Sequence, residues 1–214
     1  IYDANLFGFG RRFENRILVN TDKEQNVGYQ GRLKANNIYG TFVSGEVNYL
    51  DAFDKEMIKL DVDKKFLTPQ IKWGGGISVS SNQQDEKNII NGSSYEHTIG
   101  YNREEVWAGR SFELEEFPNR RIMVTSVRFE RTFYDNRPEI VDQDFFKKYH
   151  HTNLFLASVT YSKQKFLKTS YIYGIGRTED IPYGNLVELT TGFEDGEFAN
   201  RGYLGIRYGN GTFF

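Results

Sequence analysis

The 214-residue chain has no cysteine, which excludes disulfide staples and thiolate-held metal centres. Histidine is nearly as scarce. Of His97, His150 and His151, only the last two adjoin, and neighbours on an extended chain point to opposite sides with no third ligand spaced beside them. No run of about 18 apolar residues exists, so no helix is expected to cross a membrane. A net charge of −2 and a pI near 6.0 argue against a nucleic-acid partner. Glu139, Asp142 and Asp144 lack the glycine and terminal bidentate glutamate of an ordered calcium loop. Gly174-Ile175-Gly176 and Gly74-Gly75-Gly76 lack the strand-to-helix context of a phosphate loop, and no Gly-x-Ser-x-Gly elbow supports a Ser/His/Asp set. The expectation is therefore a chain with no catalytic residue, no cofactor and no metal.

What the chain does have is alternation. In residues 56–66, Ile58, Leu60, Val62 and Phe66 share one side of an extended segment, while Lys59, Asp61, Asp63 and Lys65 share the other. Successive side chains of a β-strand point to opposite faces, whereas a helix would scatter these charges around its circumference. The pattern recurs in 27–34, 41–50 and 71–81, the last placing Trp73, Ile77 and Val79 against Lys72, Ser78 and Ser80. It returns in 123–133, where Val127 and Phe129 oppose Arg128 and Glu130, in 155–162, and again near 166–176, 186–194 and 201–208. Aromatics at 16% with 21 glycines and only 4 prolines suit an all-β fold.

Strands of ordinary globular proteins run about 5–6 residues, and strands crossing a bilayer about 9–11. Most of these segments reach the longer figure. Half of each strand of a membrane barrel is polar, so a mean hydropathy of −0.60 is compatible with one. The expected fold is an antiparallel up-and-down transmembrane β-barrel of about ten strands. Lys59, Asp61, Asp63, Lys65, Arg128 and Glu130 would face a lumen, and Ile58, Leu60, Val62, Trp73, Ile77 and Val79 would face lipid. Alternation alone also fits a soluble barrel that holds an apolar ligand inside.

Short turns are expected at 36–40, 51–55, 66–70 and 162–165, and long external loops at 82–96 and 134–152. Residues 97–121 accommodate one strand or two. Tyr39, Tyr49, Phe53, Phe66, Tyr95, Phe133, Tyr134, Tyr149, Tyr183 and Phe198 fall near strand ends, as interface girdles do. Arg177, Glu179 and Asp180 read as a charged latch on a turn set by Pro182 and Gly184. Gly74-Gly75-Gly76 marks a bend or a place where another segment packs on bare backbone. The start at Ile1 and the strand-like residues after Gly211 lead to the expectation that 1–214 is a single region of a larger barrel, cut at both ends.

Tyr101-Asn102-Arg103-Glu104-Glu105-Val106-Trp107-Ala108-Gly109-Arg110-Ser111-Phe112, and Tyr173-Gly174-Ile175-Gly176-Arg177-Thr178-Glu179-Asp180-Ile181-Pro182-Tyr183-Gly184, resemble barrel segments of the BamA/TamA-like outer-membrane surface-antigen superfamily in its Bacteroidetes-type form. The resemblance implies a bacterial outer-membrane location and a role in membrane-protein insertion or polypeptide translocation. It also implies the lipid bilayer as a partner, together with other outer-membrane proteins or accessory subunits. The family's Arg-Gly-Phe/Tyr loop signature has one literal match, Arg201-Gly202-Tyr203, placed in or beside a strand, and its role is not carried over. A passive porin or a structural barrel subunit is the other membrane reading.

Overall fold

The computed structural model describes residues 2–6, 11–21, 26–68, 70–90, 93–116, 119–138, 147–170 and 178–211, with backbone alone for 2–6, 88–90, 93, 147, 167–170 and 178–182. These residues form one antiparallel sheet of eleven strands in which every strand pairs with its sequence neighbours. The strands are β1 (Tyr2–Leu6), β2 (Arg11–Val19), β3 (Val27–Ala35), β4 (Ser44–Ala52), β5 (Lys55–Lys64) and β6 (Trp73–Ile90). After them come β7 (Ser93–Glu115), β8 (Arg120–Asn136), β9 (Thr152–Ser170), β10 (Thr178–Gly196) and β11 (Asn200–Gly211). The order runs from β1 to β11 without a pairing between those two, so the described sheet is open. Apart from two three-residue 3-10 turns at Ile38–Gly40 and Lys147–Tyr149, no helix occurs among the described residues.

Eleven strands lie close to the expected ten, but for partly compensating reasons. β1 and β2 were not read from the sequence. The expected turn at 162–165 lies inside β9, where Ser162 to Lys165 pair with Leu186 to Tyr183. Residues 97–121 hold a single strand, and its hairpin to β8 closes between Glu115 and Arg120. The expected loop at 82–96 is instead the far end of a paired hairpin running from Asn82↔Tyr101 to Ile90↔Ser93. Its backbone pairing satisfies the ladder although both faces carry polar side chains. The region 134–152 is a long connection, shortened by the extension of β8 to Asn136.

The turn reading of the latch is also corrected. Glu179, Asp180, Pro182 and Gly184 lie in β10, opposite Thr169, Lys168, Phe166 and Gln164; Arg177 falls outside the described residues. Pro182 pairs with Phe166 of β9, and among the described residues β11 pairs with β10 from Gly184↔Gly211 onward.

Alternation sorts the two faces as the sequence implies. Ile58, Leu60, Val62, Trp73, Ile77 and Val79 are 40–61% exposed and lie on one face. Their neighbours Lys59, Asp61 and Ser78 lie on the other. The open apolar face extends across the sheet through Ile17, Tyr29, Leu33, Val47, Val106, Val127, Phe155, Val159, Leu189 and Ile206, all exposed.

The apolar band runs oblique to the ladder. On β3 it spans Val27 to Leu33, centred near Gly31, whose row passes through Tyr49, Ile58 and Ser81 to Asn102 on β7. On β11 it spans Leu204 to Tyr208, centred on Ile206, whose row returns through Leu189, Val159 and Thr125 to Arg110 on β7. From Asn102 to Arg110 is eight residues over eight strand steps, so the band slips by one residue per strand. Intermediate strands fall on the same line, with Leu60 at its centre on β5 and Ala157 on β9.

Candidate functional site: a charge-lined trough on the polar face

Side chains two apart on a strand share a face, and cross-strand partners stand side by side. Those rules gather Arg32, Glu46, Lys59, Asp61, Ser78, Glu105 and Arg128 on the face opposite the apolar band. Between β3 and β8 this face is hollowed into a trough of about 450 Å³. Five of the six residues read as lumen-facing line it: Lys59, Asp61, Asp63, Lys65 and Arg128. Glu130, the sixth, lies on the same face as the direct cross-strand partner of Glu105. Arg32, Lys34, Glu46, Ser78, Glu105 and Trp107 complete the polar wall.

The charges are matched locally. Arg32 donates through Nε and an Nη to both oxygens of Glu46 at 2.8 and 2.9 Å, and Lys34 Nζ lies 3.5 Å from the same carboxylate. Lys59 meets Asp61 within β5, and Lys65, just past its end, meets Asp63, each at 3.0 Å. Glu105 and Glu130, like charges in direct opposition, are bracketed diagonally by Arg128 and Arg103 at 3.5 Å each. Each such water-facing pair contributes about 0.2–1 kcal/mol. Their greater consequence is cancellation, since each trough carboxylate has a cation beside it.

One aromatic ring, Trp107, interrupts this polar wall, and a second, Phe66, packs beside it. Trp107 lies across Gly76, where an added Cβ would fall 2.5 Å from its Nε1. Phe66 turns back from the end of β5 over Gly74 and Gly109, where added Cβ atoms would lie 2.9 and 3.3 Å from its ring. The ring centroids are 6.3 Å apart and tilted by 57°. Packing of another segment on the bare backbone of the triple glycine is thus what the structure contains. Trp107 and Phe66 were not picked out from the sequence as parts of a site. The available signal was parity, because Trp107 alternates with Val106 and Ala108 and so shares a face with Glu105.

A second polar cluster sits where the β8–β9 connection returns over the sheet. Tyr149, only 2% exposed, donates its hydroxyl to Glu86 at 2.5 Å, and Lys148 donates to the same carboxylate at 2.8 Å. Arg137 grips both oxygens of Glu197 at 2.7 and 3.0 Å, and the His151 backbone N–H adds a third bond at 3.1 Å. These hydrogen bonds, above all those from Arg137, hold the Glu197 carboxyl down at about 2. Arg137 and Lys148 are raised in turn by their hydrogen bonds to Glu197 and Glu86.

Three residues expected at an interface girdle face the polar side instead. Phe66 covers the glycines, while Tyr134 packs between Tyr101 at 5.5 Å and Tyr149 at 5.9 Å. Tyr49 and Phe133 do lie on the apolar face, both about two-fifths exposed. His151 stacks on Phe133 and accepts the Tyr134 N–H through Nδ1 at 3.1 Å, a packing role. Compared with known protein families, curated proteins and solved structures, the chain shows no significant match to any.

Proposed function

We propose that this chain is part of the wall of an outer-membrane β-barrel, with the apolar band in lipid and the charge-paired trough facing an aqueous interior. The oblique course of the band carries this reading. With about 3.3 Å of rise per residue and about 4.8 Å between strands, a slip of one residue per strand corresponds to a tilt of about 35°. Outer-membrane barrels tilt their strands by about 35–45°, so a level membrane crosses their ladders along such a diagonal. A soluble barrel with an apolar interior calls for the reverse arrangement, in which Ile58, Leu60 and Val62 are sheltered and Lys59 and Asp61 open to solvent.

Within that reading, the resemblance of 101–112 and 173–184 supports a role in outer-membrane protein assembly or polypeptide translocation. The second reading, a passive pore or structural barrel subunit, is favoured by the local pairing of the trough's charges, whose lining of five cations and four carboxylates leaves only weak steering.

Membrane fractionation, heat-modifiable migration on a gel and tryptophan quenching by brominated lipid test the barrel. Recovery of the chain as a soluble monomer without detergent overturns it. Reconstituted vesicles then separate the two roles. Accelerated insertion of a second outer-membrane protein supports assembly, whereas ion conductance with no effect on insertion supports the pore.

A further inference from the structure

The trough combines a size, a charge balance and an aromatic surface that together describe a ligand. Its volume of about 450 Å³ falls within the range of small-molecule sites, about 300–1,000 Å³. Its carboxylates are matched by neighbouring cations, as in Arg32–Glu46, Lys59–Asp61 and Lys65–Asp63. A permanent cation would compete with these partners, and an anion would find only the one cation, beside Glu46, that the carboxylates leave in excess. Yet ammonium and guanidinium groups carry several donors and each carboxylate several lone pairs, so the paired wall keeps capacity for additional neutral hydrogen bonds.

Within that wall Trp107 gives a patch of apolar surface, seated on Gly76 and neighboured by the Phe66 ring at 6.3 Å. A matching ligand is neutral, rich in hydroxyls and equipped with flat C–H faces. Lipids fail the first demand of the wall, its polarity. Phosphates and nucleotides meet the trough's carboxylates.

We propose that the trough binds a neutral saccharide of two or more rings, one ring packed on Trp107 and its hydroxyls bridging the paired charges around it. Trp107 is the contact residue, and Phe66 positions it. The inference goes beyond the barrel reading and depends only on described residues of the polar face.

The two tryptophans make the test internal, because Trp73 and Trp107 are the only indoles in the chain and lie on opposite faces of the sheet. In the full chain carrying Trp73→Phe, titration with maltotriose or cellotriose is expected to change Trp107 emission saturably. Calorimetry on the Trp107→Ala chain is expected to show at least ten-fold weaker binding, and the fluorescence measurement stands alone if that variant does not fold. Absence of a saturable response to either trisaccharide, undiminished binding by Trp107→Ala, or an equal response to inorganic phosphate overturns the proposal. The Trp107→Phe chain keeps Trp73 as sole reporter, and its quenching by brominated lipid reads the barrel separately. Quenched Trp73 with no saccharide response therefore rejects the saccharide site and leaves the barrel standing.

Discussion

Glu105 and Glu130 stand directly opposite each other across β7 and β8, and each is answered by an arginine on the other's strand, Arg128 at 3.5 Å and Arg103 at 3.5 Å. Like charges in direct cross-strand opposition are destabilising, so the two arginines are what make this pairing tolerable. Arg103→Ala is expected to cost about 1 kcal/mol in urea unfolding of the detergent-solubilised chain. Adding Glu130→Gln to it is expected to restore most of that loss. A double variant no more stable than Arg103→Ala would show that the arginine contributes by packing rather than charge.

Replacing Gly76 by valine places a branched side chain where Trp107 Nε1 and Asp63 Cβ would lie 2.5 and 3.0 Å from its Cβ. Overpacking of this kind costs about 1–3 kcal/mol. The expected result is a lower unfolding midpoint and a shifted Trp107 emission. In a Trp107→Ala background the same substitution is expected to cost distinctly less, because the space above Gly76 is then open.

Adjacent positions on β6 separate the two faces. Ile77, 60% exposed on the apolar face, is expected to tolerate arginine poorly, with a loss of about 2–4 kcal/mol near the bilayer midplane. Ser78, one residue along and on the polar face, is expected to accept arginine with little effect. Folding yield into lipid vesicles measures both. Equal tolerance at the two sites would be incompatible with lipid on the Ile77 side.

The tether between Arg137 and Glu197 carries its own pH dependence. The Glu197 carboxyl is lowered from 4.5 to about 2 by its hydrogen bonds to Arg137, so its folded value lies below its unfolded one. Its contribution is complete above about pH 4.5 and is lost as pH falls toward 2. Pepsin cleavage of the 137–151 connection is expected to be faster in Glu197→Gln than in the parent at pH 5. The ratio of the two rates should approach one near pH 2, and a ratio independent of pH would exclude the carboxylate as the tether.

The sheet and its two faces were legible in the sequence wherever one face was apolar, because burial or lipid contact imposes a period of two that polar substitution would destroy. β5 is the clearest instance, with Ile58 to Val62 opposed by Lys59 to Asp63. Legibility fails where neither face is apolar. Asn82 to Lys87 carries amides and charges on both sides, so its hydropathy has no period, yet backbone pairing extends β6 and β7 through it. Pro182 and Gly184 misled in another way. Both are common turn residues, yet both pair within β10, opposite Phe166 and Gln164 of β9. The trough was half readable, since alternation placed Lys59, Asp61 and Arg128 on one face. The period-two reading put Phe66 on the apolar side with Ile58, Leu60 and Val62, but β5 ends at Lys64, and past that end the ring turns over Gly74 and Gly109 on the polar face.

Beyond Lys55↔Gln84 on one side and Gly100↔Asn136 on the other, β6 and β7 continue as a two-stranded arm from Asp85↔Thr98 to Ile90↔Ser93. Six more residue pairs at about 3.3 Å each lift its tip about 20 Å past the neighbouring strands. The bond from Tyr149 and Lys148 to Glu86 braces it near the base. By contrast, the tight turn between Ala52 and Lys55 at the same end of the sheet stays low, with the Asp54 carbonyl bonded to the Asp85 N–H at 2.8 Å. Under the proposed barrel reading, the arm would stand like a mast above the headgroups on its side of the membrane. Any molecule approaching from that side would meet the arm well before reaching the rim from which it rises.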